Sequence, residues 1–328
     1  MRRQILALPV AAAVAAGSLA ACGSGSDSES DGLDIVAAFY PLAFATEQVG
    51  GDHVNVTNLT PAGQEPHDLE LAPSDIASIE EADYVVYLAE FIPEIDAAVE
   101  QYAPDKSLEV SAVVDLLGYD STQVFEEQED HDHDHEDEGD HDHDHDHDHD
   151  HGDLEGADPH IWLDPIRFTR IGQAIAEGLA EVDADNAEDY AAGAEEFAAA
   201  LAELDAEFSE GLADRTSDAV VTSHAAFGYL ADRYGLVQIA IAGLSPDQEP
   251  SSQRMGEIAD YVEAHQVSTI FFETLVSPDV AEAIAAETGA RTAALDPLEG
   301  LASDDVDGDY FSIMRENLAA LQSALGAA

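Results

Sequence analysis

Between Leu33 and Val113 short apolar runs alternate with helical stretches, and between Asp218 and Leu325 the alternation restarts. This pattern constrains the fold more than any other feature. Strands separated by helices pair as a mainly parallel sheet covered on both faces. In the first series strands are expected at 33–39, 53–59, 84–88 and 107–113, with helices at 41–49, 74–81 and 92–102. Gly50 and Gly51 stop the first of those helices. In the second series strands are expected at 218–223, 236–241, 267–272 and 291–295, with helices at 225–234, 252–265, 277–287 and 310–325.

Two helical stretches lie between the series. The first, 165–182, begins with Asp164 as N-cap and Pro165 at the first helical position. The second, 186–214, lacks proline and carries Tyr190, Phe197, Leu201, Leu204 and Phe208 at helical spacing. A helix of about 28 residues spans roughly 40 Å, enough to run from one half to the other. The expected fold is therefore α/β, with two similar lobes, each a mainly parallel sheet flanked by helices, joined by a long linking helix. The lobes are expected at 33–185 and 215–328, with the link at 186–214.

The chain starts with Arg2 and Arg3, a nearly unbroken apolar run from Ile5 to Ala16, and Leu19-Ala-Ala-Cys22. The run is too short to span a bilayer and reads as a secretory signal over 1–21. Cys22 is the only cysteine, so an intrachain disulfide is impossible. Its setting reads as a lipidation site rather than a buried thiol. Residues 22–32, rich in Gly, Ser and acidic groups, then form a flexible tether. The expected location is outside the cell, lipid-anchored to the outer face of the cytoplasmic membrane. The formal charge of −61 makes nucleic acid an implausible partner. A solvated, salt-tolerant exterior is the expected reason for the acidity outside the central tract, with a specific cationic partner as the alternative.

That tract, 126–156, interrupts the first lobe. Its first 30 residues, 126–155, hold 17 of the 71 acidic groups, and nine histidines stand at His131, His133, His135, His141, His143, His145, His147, His149 and His151. With almost no apolar residue it is expected to stay disordered. In an extended chain His141 to His151 would line one side and the Asp residues the other. Such a tract suits several weak, exchangeable metal sites, an accessory to a fixed site elsewhere. The alternative is a solvated insert with incidental metal affinity.

Four residues could build the fixed site. His67 follows the second strand, His160 follows the tract, His224 follows the first strand of the second series, and Asp296 follows the last. Open α/β sheets place ligand sites beyond the carboxyl ends of their strands, so these residues would meet in the crevice between lobes. Three imidazoles and a carboxylate suit zinc. Taken singly, each histidine could equally be a hydrogen-bonded residue at a strand end, and Asp296 an N-cap or turn residue before Pro297.

Several segments carry a family resemblance. They are Pro66-His-Asp-Leu-Glu-Leu-Ala-Pro-Ser-Asp75, Asp158-Pro-His-Ile-Trp-Leu-Asp-Pro165, Ser223-His-Ala-Ala-Phe-Gly-Tyr229, Glu249-Pro-Ser251 and Leu295-Asp-Pro-Leu298. In kind and order they resemble the metal-binding lipoproteins of zinc and manganese ABC importers. The resemblance implies two lobes joined by a rather rigid helix and one metal between them, on His67, His160, His224 and Asp296. It implies Zn2+ as cargo, because manganese-type members usually have a carboxylate where this chain has His224. Mn2+ and Fe2+ rank behind zinc. Some zinc-type members place an acidic ligand directly before the first histidine; here that residue is Pro66, which leaves Asp296 or water as fourth ligand and Glu65 as a weaker candidate. Glu273 is a candidate to support a ligand imidazole from behind. The partner implied is an ABC permease, and the protein is expected to be a monomer. No His-Glu-x-x-His pair or general base points to a zinc hydrolase, so no enzymatic activity is expected. A surface metal buffer or adhesin is the remaining alternative.

Overall fold

The computed structural model describes residues 32–119, 156–302 and 308–327. The expectations for the signal, for Cys22 and for His131 to His151 lie outside these residues.

Two four-stranded parallel sheets form the frame. The first contains β1 (Leu33–Ala37), β2 (Val54–Asn58), β3 (Tyr84–Tyr87) and β4 (Ser107–Glu109), in the order β2-β1-β3-β4. Its helices are α1 (Tyr40–Gly50), α2 (Pro73–Glu81) and α3 (Pro93–Tyr102). The second contains β5 (Ala219–Thr222), β6 (Val237–Ala240), β7 (Thr269–Phe272) and β8 (Arg291–Ala294), in the order β6-β5-β7-β8. Helices α6 (Gly228–Tyr234), α7 (Ser252–His265), α8 (Asp279–Thr288) and α9 (Tyr310–Leu325) accompany it. The same strand order in both halves explains the repeated alternation in the sequence. In each sheet the connections run one way from the first strand and the other way from the third, so their loops part between them.

Between the two series in the chain come α4 (Pro165–Val182) and α5 (Ala187–Gly211). Asp164 caps α4 as expected, its side chain accepting from the Ile166 and Arg167 backbone N–H groups. Helix α5 has 25 residues, somewhat fewer than the stretch read from sequence. Its buried stripe is Tyr190, Ala194, Phe197, Leu201, Leu204 and Phe208. It packs on α1, α4 and α9, so it touches elements of both halves. The larger of two apolar clusters runs from Ile35 and Phe39 in the first half through Phe197 to Phe227, Tyr310 and Met314 in the second, while Val221, Ile239, Ile258 and Ile270 form a separate one. A continuous core resists wide hinging, because each half would have to expose apolar surface to separate.

The strand expected over 107–113 stops at Glu109. There the Glu109 carboxylate accepts from the Ser111 and Ala112 N–H groups and winds Val110–Val113 into a 3-10 turn. An acidic side chain capping its own backbone defeats the apolar pattern at this point.

Candidate metal centre

His67, His160 and His224 converge, although 157 positions separate the first from the last. Each is positioned by local rules. Pro66–Asp68 is a 3-10 turn after β2, capped by Glu65, whose Oε2 accepts from the His67 backbone N–H at 2.8 Å. His160 immediately precedes the 3-10 turn Ile161–Leu163, whose Trp162 is 1% exposed. Trp162 Nε1 donates across to the Pro297 carbonyl at 2.7 Å, and its own carbonyl accepts from the Tyr310 hydroxyl at 2.6 Å. His224 lies two residues past the end of β5, beside the end of β7, where the strand order places the crevice.

The fourth member is Glu299. A ligand atom from each of His67, His160, His224 and Glu299 lies within 4.8 Å of the others. Glu299 Oε1 stands 2.8 Å from His160 Nε2, 3.1 Å from His224 Nε2 and 3.9 Å from His67 Nε2. The Nε2 atoms of His160 and His224 are 3.4 Å apart. Tetrahedral zinc with Zn–N bonds of about 2.0–2.1 Å spaces its ligand atoms by roughly 3.4 Å, so small adjustments suffice. His67 Nε2 is buried without a hydrogen-bond partner, an orphan that a metal ion would satisfy.

Asp296, expected among the ligands, is not one of these four residues. Its Oδ2 accepts from the Thr274 hydroxyl at 2.6 Å and its Oδ1 from the Leu298 N–H at 2.8 Å. Both oxygens are engaged in shaping a turn, and the carboxylate that turns inward is three residues later.

The backs of two imidazoles are held by carboxylates. His160 Nδ1 is 2.7 Å from Asp158 Oδ1, and His224 Nδ1 is 2.7 Å from Glu273 Oε2. Each carboxylate also accepts from its histidine's backbone N–H, at 3.0 and 3.1 Å. With the proton fixed on Nδ1, Nε2 presents its lone pair to the centre. Glu273 was a candidate for such a place in the sequence; Asp158 stands there only as part of a motif. Glu65 caps the His67 turn and lies outside the four-atom cluster. Phe91 packs edge-on to His67 at 4.6 Å, and Trp162 to His160 at 5.4 Å, so aromatic rings wall the cluster. His67 is the least buried of the four, its side chain 13% exposed against 0–3% for the rest, and marks the way in.

Charge in the metal-free cluster is organised by these neighbours. Burial disfavours imidazolium at His224, but Glu273 and Glu299 outweigh it and hold its pKa well above the usual value. Burial likewise opposes charge on His160, where Asp158 and Glu299 win and raise the pKa. For Glu299 burial is again outweighed, by His224, His160 and His67 together, so its pKa lies well below the carboxylate range. Glu65 is pushed up to about 10, first by burial and then by Glu299 beside it. The remaining described histidines serve elsewhere: His53 faces Asp189 at 3.1 Å, and His265 stacks on Tyr261.

Comparison with known proteins shows the family. The family described as zinc-uptake complex component A, periplasmic (ZnuA), matches residues 35–324. The high-affinity zinc uptake system protein ZnuA of Bacillus subtilis (strain 168) is 37% identical over 315 residues, covering 94% of this chain and 93% of that protein. The zinc-binding lipoprotein AdcA of Streptococcus pneumoniae (strain R6) is 36% identical over 311 residues, 93% of this chain but 58% of AdcA, so the chain spans little more than half of that relative. Among solved structures, the laminin binding protein Lmb of Streptococcus agalactiae superposes with a TM-score of 0.73 at 30% identity, covering 90% of this chain and all of that one. A Zn(II)-bound AdcA from Streptococcus pneumoniae gives 0.70 at 32% identity, covering 90% of this chain and 58% of that one. Family members are solute-binding proteins of zinc transport rather than enzymes. With its two parallel sheets and a match over nearly its whole folded length, the chain belongs to the ZnuA family of zinc-uptake binding proteins.

Proposed function

We propose that this protein captures one Zn2+ between its lobes, on Nε2 of His67, His160 and His224 and the carboxylate of Glu299, and delivers it to an ABC permease. The observation that carries the reading is the convergence of these four ligand atoms within 4.8 Å, with two imidazoles oriented from behind by buried carboxylates. Three nitrogen donors favour zinc over manganese, whose preference runs to oxygen. Release goes by local movement of the loops that carry His67 and Glu299. Those loops touch across the cleft, where the Gly63 N–H donates to the Leu301 carbonyl at 2.6 Å.

The histidine-rich tract serves as an accessory collector. In support, described residues on either side of it, 117–118 and 157–158, adjoin the site. Gly118 bridges to Ala157, the Asp158 N–H donates to the Leu117 carbonyl at 2.8 Å, and Asp158 holds His160. A lipid on Cys22 keeps the protein near its permease. The test is a competition titration of zinc and manganese against a coloured chelator, on the protein with and without residues 131–151. One tightly held zinc in both forms, manganese excluded, and slower uptake at limiting zinc without the tract are expected. Loss of the tight zinc on deleting the tract would overturn the cleft assignment.

A further inference from the structure

The loop that brings Glu299 inward is built around Asp296. Leu298, fully buried, has φ +59°. That left-handed conformation is costly for a side chain with a Cβ and needs support from its surroundings. The support converges on two residues. Asp296 Oδ1 accepts from the Leu298 N–H at 2.8 Å, closing a side-chain turn, while Oδ2 is fixed by Thr274 at 2.6 Å. Asn317, on α9, grips the Asp296 backbone: its Oδ1 accepts from the Asp296 N–H at 2.9 Å and its Nδ2 donates to the Asp296 carbonyl at 2.7 Å. Trp162 holds the next carbonyl, that of Pro297. Glu299 follows directly and is 3% exposed. At Gly300 a Cβ would stand 3.0 Å from the Gln64 carbonyl, so the turn sits hard against the loop bearing His67.

We propose that Asp296 is a positioning residue: by holding Leu298 left-handed it aims the Glu299 carboxylate at the three imidazoles, without itself touching the ion. The inference rests on the zinc-binding reading above. If Leu298 relaxes to negative φ, the chain direction changes and the carboxylate leaves the cluster.

The test is a zinc titration of the full chain, against a chelator strong enough to keep weaker sites empty, read beside the visible spectrum of the cobalt-loaded protein. Asp296→Ala should weaken zinc by about 10- to 100-fold, the range for residues that orient ligands. Asp296→Asn should stay within about threefold of the parent with an unchanged cobalt spectrum, because asparagine makes the same turn. Asp296→Ala combined with Leu298→Gly should recover most of the loss, since glycine takes positive φ without support. A merely structural role of Asp296 would show no such rescue. Should Asp296→Ala fail to fold, Asp296→Asn and the double variant carry the test. An Asp296→Asn protein that loses zinc and shifts the cobalt spectrum would make Asp296 a ligand and overturn the proposal. Failure of Leu298→Gly to restore binding would overturn it as well. His160→Ala separates the two readings. If it leaves zinc binding intact, the cleft assignment itself falls; if it abolishes binding while Asp296→Ala does not weaken it, only the present inference falls.

Discussion

Zinc binding should depend steeply on pH, with a sign fixed by the cluster. In the metal-free protein the pKa values of His160 and His224 are raised against burial by Asp158, Glu273 and Glu299. Their Nε2 atoms must lose any proton before they can bind metal. Each displaced proton contributes a factor of about ten in affinity per pH unit below the pKa, or about 1.4 kcal/mol. With both imidazoles protonated, a fall of one pH unit should weaken zinc about a hundredfold. Glu299, already ionised, adds no term until its depressed pKa is reached. Stability of the metal-free protein should run the opposite way. The two histidines have raised folded pKa values, so their contribution is complete below the unfolded value of about 6.5 and is lost as pH rises through the folded values. The Glu299 contribution is present above about 4.5, its unfolded value, and is lost as pH falls through its depressed pKa. The assay is a chelator competition from pH 5.5 to 8, corrected for the chelator's own protons, alongside melting of the metal-free protein. Affinity that stays level from pH 6 to 7.5 would refute proton competition at these imidazoles, as would a metal-free melting temperature that climbs from pH 6.5 to 9.

Glu299→Gln removes the carboxylate that faces all three imidazoles and should cost zinc affinity at least about a hundredfold, the upper range for mere outer-shell partners; the same chelator titration measures it. Asp158→Asn and Glu273→Gln, which remove the anionic partners of His160 and His224, should each weaken zinc about 10- to 100-fold while one ion still binds, as a count of bound metal would show. At Gly193 on α5 a Cβ would stand 2.3 Å from the Val49 carbonyl, so Gly193→Ala should destabilise by about 1–3 kcal/mol through overpacking, read by thermal unfolding. Gly256 on α7 meets nothing within 4 Å, and Gly256→Ala should be neutral or stabilise by up to about 1 kcal/mol in the same assay.

Much of this architecture is legible in the chain itself. The alternation of apolar runs is a strong signal because the inner strands β1, β3, β5 and β7 bury consecutive residues. Helices α4, α7 and α9 begin and end where their caps and apolar spacing place them. The three histidines could be found because they follow strands or a distinctive turn. Glu299 could not be found in that way. It sits five residues past β8, beyond Pro297 and a left-handed Leu298, and no local periodicity reveals which side chain such a turn points inward. One signal was available: Leu298-Glu-Gly-Leu301 is an acidic residue among apolar neighbours in a loop, and a buried carboxylate needs a cation or a proton to accompany it. Asp296 stands out instead because it follows the last strand, yet turn chemistry occupies its oxygens. Asp158 is similar, since its pairing with His160 depends on a turn rather than on spacing.

Anomalous scattering at the zinc edge from crystals of the zinc-loaded protein tests the central claim most directly. The account predicts a single strong peak in the cleft, about 2.0–2.1 Å from Nε2 of His67, His160 and His224, with a Glu299 oxygen completing the shell and Asp296 still bonded to Thr274 and Leu298. A peak bonded to Asp296 in place of Glu299, or one away from these histidines, would contradict it.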